Sequence, residues 1–362
     1  MLRLAVLSLL LAAAAPSLAR ELPEQKPLWD QQQGWISACD NRRDCHLLYA
    51  PDSVFGQENN HLTLHVRSQA GPEGRVQLQL DHQGAAFDLA ALRLDGQPLE
   101  PELLAALVLQ PEQEQAQEQQ HYRVDDQALA RRWLARLAAG QLLALPGNEP
   151  AQVLLAPLPG LLQQIDQVQQ RAGTVSALAL AGERPASEVP TVEPAKALRA
   201  YPGVAALGAK ERAGLLAAVQ RAMPPAPASE DDEYQMAPRI ELYPLTATQA
   251  LVVELSDCGA YICLFELSSR SRTAPYAVQP LALQALPAGS VDHTGGINYE
   301  PKTGVLGSYL MGRGIGDCGE MATWQFDGRA FQLTDYRRMP VCSGLGYDDW
   351  PVLWSAGTPL KP

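Results

Sequence analysis

Two stretches early in the chain alternate apolar with polar residues. His61 to Arg67 (HLTLHVR) and Arg75 to Leu80 (RVQLQL) repeat with period two, the signature of strands with one buried and one wetted face. They are expected as neighbours in one sheet. The period then lengthens: Leu129, Trp133, Leu134 and Leu137 recur at helical spacing, behind Asp125 or Asp126 as a cap and ahead of Gly140 as a stop. A second helix is expected from about Leu158 to Arg171, with short strands over Gln141 to Leu145 and Thr174 to Leu180.

After Tyr234 nearly every periodic stretch is of strand type. Ile240 to Leu245, Ala250 to Leu255, Tyr261 to Leu267 and Gly304 to Met311 fit strands. In Met321 to Thr334 (MATWQFDGRAFQLT), Asp327-Gly328 supplies the positive φ values of a two-residue hairpin turn. That register sets Trp324 opposite Phe331 and Ala322 opposite Leu333 on an apolar face, with Thr323 opposite Gln332 on a polar one. Successive strands without intervening helices point to an antiparallel sandwich or open barrel rather than βαβ units.

The expected fold class is therefore α+β, mainly antiparallel β. An N-terminal sheet domain with two helices covers residues 20–181, and a C-terminal all-β domain covers 239–362. Residues 182–238 read as a Pro- and acid-rich linker region. It includes Gly182 to Pro194 and Met223 to Pro238, the latter carrying Glu230-Asp231-Asp232-Glu233. Gln110 to Gln120 (QPEQEQAQEQQ) has too little to bury and reads as a solvated loop or frayed helix. No internal repeat is visible.

The 362 residues leave room for two or three domains. With 46% apolar and 19% charged residues, the chain is not disordered throughout. Twenty-eight basic residues against 40 acidic give a net charge of -12, which opposes nucleic acid and anionic lipid as partners. The first nineteen residues carry Arg3, an apolar stretch from Leu4 to Ala15 and Ser17-Leu18-Ala19, the layout of a signal peptide cleaved after Ala19. The apolar stretch is shorter than the roughly 20 residues that span a bilayer, so no transmembrane anchor is expected after cleavage. The mature chain, 362 minus 19 residues, would reside in the periplasm or be secreted.

Export changes the meaning of Cys39, Cys45, Cys258, Cys263, Cys318 and Cys342, because thiols in an oxidising compartment pair. Six cysteines allow fifteen pairings, and sequence alone does not choose among them. Their grouping favours Cys39 with Cys45, Cys258 with Cys263 and Cys318 with Cys342. On the chain-entropy model the first and last loops are worth about 2.4 and about 3.5 kcal/mol. No His lies within ten residues of a C-terminal cysteine, so neither zinc nor another metal is expected. No cofactor is expected either.

Other motifs have plain structural readings. Gly312-Arg313-Gly314-Ile315-Gly316-Asp317-Cys318-Gly319 precedes a hairpin instead of the helix a dinucleotide fingerprint needs, so it reads as a tight turn beside a disulfide. His61 and His65 on a strand stand about 13 Å apart, too far for one metal, and read as surface residues. Asp348-Asp349 beside Trp350 and Trp354 reads as a packed tail with exposed acids, since neighbours on a strand face opposite ways. Ser290-Val291-Asp292-His293 holds triad residue types without a nucleophile elbow.

Trp35, Cys39-Asp40-Asn41-Arg42-Arg43-Asp44-Cys45, Ala172-Gly173-Thr174 through Pro185-Ala186-Ser187, Gly316-Asp317-Cys318-Gly319, Trp324, Asp327-Gly328, Met339, Cys342 and Asp348-Asp349-Trp350-Pro351 occur in that order. Together they resemble domain-of-unknown-function family 1176 over nearly the whole mature chain. The N-terminal portion is also similar to proteins of the invasion-associated locus B type, which implies an exported, largely β-structured protein. The resemblance implies no reaction and no catalytic residues. Two positions depart from the pattern: Ser343 stands where Arg is expected, and Ile262 followed by Cys263 where Asn is expected.

The function expected is non-enzymatic binding to an envelope protein or polymer. Arg313, Asp317, Glu320, Asp348, Asp349 and Trp350 are the candidate ligand or partner contacts. The alternatives are an envelope hydrolase whose acids converge only in the fold, or an inhibitor of a wall-degrading enzyme.

Overall fold

The computed structural model of the protein describes residues 21–50, 60–110, 119–147, 150–194, 198–199, 201–223, 239–260, 262–287 and 294–356. The expected leader at 1–19, most of the Gln-rich stretch, the acidic run and Ser290-Val291-Asp292-His293 lie outside these residues.

The first sheet is an antiparallel meander of β1 (Leu28–Gln32), β2 (Trp35–Cys39), β3 (Cys45–Tyr49), β4 (His61–Ser68), β5 (Val76–Gln83) and β6 (Gln119–Val124), with Val108–Leu109 at the far edge. β4 and β5 are neighbours, as their alternation requires, with Leu64 opposite Leu80 and Val66 opposite Leu78. These side chains share one face with Trp35, Leu47 and Leu62. Helices α1 (Gln127–Ala138) and α2 (Leu158–Val168) close over that face through Trp133, Leu134, Leu137, Leu161, Leu162 and Ile165. Asp126 caps α1, its carboxylate accepting the Leu129 N–H at 2.9 Å. Between the helices, β7 (Leu142–Leu145) and β8 (Ala151–Leu154) join a small four-stranded sheet.

Thr174 to Leu180 is not a strand. It is a run of turns wrapped around the buried Asp166 of α2, whose carboxylate accepts the N–H groups of Leu178, Ala179 and Leu180 at 2.7, 2.8 and 2.8 Å. The apolar alternation imitates a strand, but this one acid collects the donors a neighbouring strand would have taken.

The expected linker region also holds an element. Helix α3 (Ala209–Ala222) begins where Glu211 accepts the Gly208 N–H at 3.0 Å. Its Leu215 and Val219 pack on Leu242, Ala250 and Val252. Those residues belong to a second sheet of β9 (Ile240–Pro244), β10 (Gln249–Cys258), β11 (Cys263–Ser271) and Val278–Gln279. A third sheet runs in the order Asn298–Glu300, β12 (Val305–Met311), β13 (Gly319–Phe326), β14 (Phe331–Met339) and β15 (Val352–Ser355). Both sheets are antiparallel, and neither closes into a barrel. The molecule is α+β with antiparallel sheets dominant.

Period-two alternation explains how the sheets stack. On β10, Ala250 and Val252 face α3, while Leu251 and Val253 meet Ala322, Trp324, Phe326 and Leu333 of the third sheet. On β13, Met321 points the other way, toward Met339, Trp350 and the Ile36 and Leu48 side chains of the first sheet. The order is α1 and α2, first sheet, third sheet, second sheet, α3. Both faces of the first sheet are therefore covered.

The β13–β14 hairpin departs from the expected register. Phe326 pairs with Phe331 and Trp324 with Leu333, so the loop has four residues. The Asp327 carboxylate accepts the N–H groups of Arg329 and Ala330, both at 2.9 Å, and Gly328 takes φ +92°. Side-chain capping by Asp327 selects the longer loop. A shift of two leaves each side chain on its expected face but changes its partner. A bulge then sets Thr323 opposite Asp335.

Removing the Asp166 carboxylate strands three N–H groups that it now binds. We expect Asp166→Ala to lower stability by about 3 to 5 kcal/mol, since hydrogen bonds to charged groups are the costly ones to break. The midpoint of urea unfolding measures this; a change under about 1 kcal/mol would show that water replaces the carboxylate.

Candidate functional site

The second face of the first sheet is polar where β3 to β6 cross it. It presents His46, Thr63, His65, Arg67, Gln79, Asp81 and His121, which alternate with the leucines of the core. Burying such a row requires partners for each group. The Arg67 guanidinium pairs with Asp349 at 2.6 Å and donates to Gln77 and Gln79 at 3.1 Å. The Gln79 amide donates to Asp81 at 3.0 Å and to Asp349 at 3.2 Å. Asp81 also accepts from the Thr63 hydroxyl at 3.2 Å and from His121 Nδ1 at 2.7 Å. Burial pushes the Asp81 carboxyl up, and the Asp349 charge adds to this, against the pull of His121.

The six candidate contacts occupy separate places. Asp317 accepts the Arg313 fork at 2.7 and 2.6 Å, and the Gly344 N–H at 2.7 Å. Burial raises the Asp317 carboxyl, but Arg313 and the backbone donors outweigh it and hold it below the usual carboxylate range. Glu320 accepts the Tyr336 hydroxyl proton at 2.6 Å and lies 3.4 Å from Arg338. Asp349 belongs to Arg67, whereas Asp348 is exposed, 3.8 Å from Arg337. Trp350 is buried, its indole N–H donating to the Leu345 carbonyl at 3.1 Å. Asp317, Glu320 and Asp349 are each held by a different arginine rather than by a shared substrate position.

The three disulfides have the favoured connectivity: Cys39–Cys45, Cys258–Cys263 and Cys318–Cys342. The first two join directly opposed residues of antiparallel strands. The glycine-rich turn lies on the third, and a Cβ at Gly312 would come within 2.7 Å of Cys318 Sγ. Among the described residues, Asp317, Cys318 and Cys342 place three potential ligand atoms within 4.8 Å of one another. They do not fit a metal, because a ligand sulfur must be a thiolate and these two are bonded together.

Two groups were not legible as important. His65 is wholly buried, not a surface residue, because the second face of β4 meets another layer. Its Nε2 lies 2.9 Å from His46 Nδ1. Asn41 is likewise buried and forms a two-way clamp on β15. Its Oδ1 accepts the Ser355 N–H at 2.8 Å, and its Nδ2 donates to the Ser355 carbonyl at 3.2 Å. Asn41 sits in the Cys39–Cys45 loop, which Asp40 shapes by accepting the Arg42 and Asp44 N–H groups at 2.8 and 2.9 Å. Burial, with the Asp44 charge added, pushes Asp40 up to about 8. Burial raises Asp44 as well.

Chemically, the Asp81–His121 pair orients an imidazole, as a general base requires. Thr63, however, donates its hydroxyl hydrogen bond to Asp81. The remainder of the row is a network of ion pairs and amide bonds joining the first sheet to the turns around β14.

Burial, reinforced by Arg67 and Arg337, lowers His46 from its ordinary 6.5 to about 3, and burial chiefly holds His65 well below the same value. A depressed histidine stabilises the fold fully above pH 6.5 and loses that contribution as pH falls. At about 1.4 kcal/mol per pH unit, His46 alone removes about 2 kcal/mol between pH 6.5 and 5. The raised carboxyls act in the opposite sense, favouring the fold as pH falls, and cancel when wild type is compared with His46→Asn. The variant should lose about 2 kcal/mol less than wild type over that span in urea unfolding. Equal losses would mean that the ring is already charged in the fold.

A relative from Escherichia coli (strain K12), Uncharacterized protein YpfG, is 27% identical over 364 residues, spanning 93% of this chain and 94% of its own. No solved structure matches this chain. A family model matches residues 30–357, which take in all but the first two residues of the first sheet, its polar seam and all three disulfides. The chain belongs to the family described as Protein of unknown function (DUF1176).

Proposed function

We propose that this is an exported, non-enzymatic protein of the cell envelope that binds another envelope protein or a polymer through a surface fixed by disulfides. The carrying observation is the absence of free cysteines among the described residues, with three cross-links formed. Such use of cysteine belongs to oxidising compartments, and the leader-like start supports the same placement. No helix among the described residues is long and apolar enough to cross a membrane.

Of the candidate contacts, Arg313, Asp317, Asp349 and Trp350 serve as scaffold, while Asp348 faces solvent. Its chain neighbour Tyr347 is 49% exposed, and Ile315, on the disulfide-braced turn, is 70% exposed. An exposed aliphatic tip on a braced turn suits a partner contact. The division into residues 20–181 and 239–362, joined through 182–238, is part of this proposal. A photo-crosslinking residue at position 315 in intact cells should capture one discrete partner, and the same probe at Asp88, on the far side of the first sheet's core, should not. No enriched species at 315, or equal capture at both positions, would refute the assignment.

The Asp81–His121 pair favours an envelope hydrolase as the second reading. Under it Asp81→Asn would abolish turnover of a wall-derived substrate while leaving capture at 315 intact; under the binding reading no such turnover exists to lose.

A further inference from the structure

The three disulfides differ in what surrounds them. Cys39 and Cys45 are 2% and 1% exposed and belong to the main hydrophobic cluster. In the third bond Cys342 is half-buried, but Cys318 is 2% exposed beneath the Gly312 backbone. Cys258–Cys263 is the bond in which both residues are half-buried. They form the outermost rung of the β10–β11 hairpin, beyond a bulge between Leu255 and Asp257. Ser256, Asp257, Gly259 and Ala260 around them are exposed. Thiol–disulfide exchange needs a thiolate to reach one sulfur along the S–S axis, so access governs which bond reacts. Opening an outer rung costs only local structure, whereas opening Cys39–Cys45 disturbs the core and opening Cys318–Cys342 disturbs the turn that Arg313 and Asp317 brace.

We propose that Cys258–Cys263 is a thiol–disulfide exchange site, and that its partner is an envelope dithiol protein. A thiolate of the dithiol attacks Cys258 Sγ, the S–S bond breaks, and its electron pair leaves on Cys263, which takes a proton from water. The partner's second thiol then loses its proton and displaces Cys258. The partner ends as a disulfide, two electrons oxidised, and this chain as two thiols, two electrons reduced. Asp257 fixes the direction of attack: its carboxylate accepts the Cys258 N–H at 2.8 Å, and a negative charge beside that residue makes Cys258 the poorer leaving thiolate.

The rung also secures a junction between sheets. Thr294–Gly295 pairs with Leu264 and Phe265 of β11, and Ser308 of the third sheet donates to the Gly295 carbonyl at 2.9 Å. A methyl on Gly295 would meet Ile262 Cδ1 at 2.7 Å and Leu310 Cδ1 at 2.9 Å, so the hairpin tip closes tightly over this glycine. Reduction of Cys258–Cys263 therefore frees the tip that covers Gly295.

The test treats the folded full-length protein with dithiothreitol, alkylates at timed intervals and maps the labelled peptides by mass. Cys258 and Cys263 should label at least tenfold faster than the other four cysteines, with the circular dichroism spectrum unchanged. Amide exchange should rise at 262–265 and 294–295 and stay constant in β13 and β14. A thioredoxin-fold oxidoreductase lacking its resolving cysteine should form a mixed disulfide at Cys258. The double variant Cys258→Ser/Cys263→Ser should fold, lose the fast phase and form no such adduct. Labelling of all six cysteines in step, a faster reaction at Cys318–Cys342, or no adduct at Cys258 would overturn the proposal. None of these results depends on whether a partner is captured at position 315.

Discussion

The polar second face of the first sheet is covered by another layer, which answers it through Arg67–Asp349, Gln79–Asp349 and His61–Ser343. A sheet with both faces buried needs a reason to carry His46, His65, Arg67 and Asp81, and here the reason is the junction with the turns flanking β14. Arg67–Asp349, Gln79–Asp349 and the Asn41–Ser355 clamp all cross from the N-terminal strands to the C-terminal ones. Breaking one partner of such a contact leaves a buried polar group unpaired, which costs more than the contact itself contributes. The architecture is thus one stack of layers whose middle junction is polar on one side and, at Ile36, Leu48, Met339 and Trp350, apolar on the other.

This junction accounts for the fate of the residues that look most chemical. Acids beside a tryptophan suggest sugar chemistry, yet Asp349 answers an arginine on the first sheet and Trp350 fills the core. A glycine-rich turn suggests phosphate, yet its Arg313 and Asp317 bind each other and brace a disulfide. At the outer rim Ile315, Tyr347 and Asp348 meet solvent. Buried carboxyls raised by desolvation and buried histidines lowered by it pull stability in opposite directions with pH, so the scaffold carries compensating titrations within one junction.

Much of the fold was legible because local period and turn chemistry decide it. The β4–β5 pairing, the Asp126 cap, the antiparallel character after Tyr234 and the nearest-neighbour cysteine pairs follow from short-range patterns. What was hidden depends on distant residues. Thr174 to Leu180 carries strand period, but Asp166 from the preceding helix takes its donors. Helix α3 lies among prolines and charges, and only the sheet it covers explains Leu215 and Val219. Alternation assigned His65 to the second face of β4, but no local signal says that a third sheet lies against it. Asn41 imitates a strand residue with its side chain, and that role appears only when Ser355 is brought beside it.

Differential scanning calorimetry of residues 20–362 at neutral pH addresses the central claim most directly. If the polar junction binds the sheets into one cooperative unit, heating gives a single transition whose calorimetric and van't Hoff enthalpies agree. Two separated transitions, each reproduced by an isolated half of the chain, would show that the first sheet holds its polar face without the third, and would contradict the account.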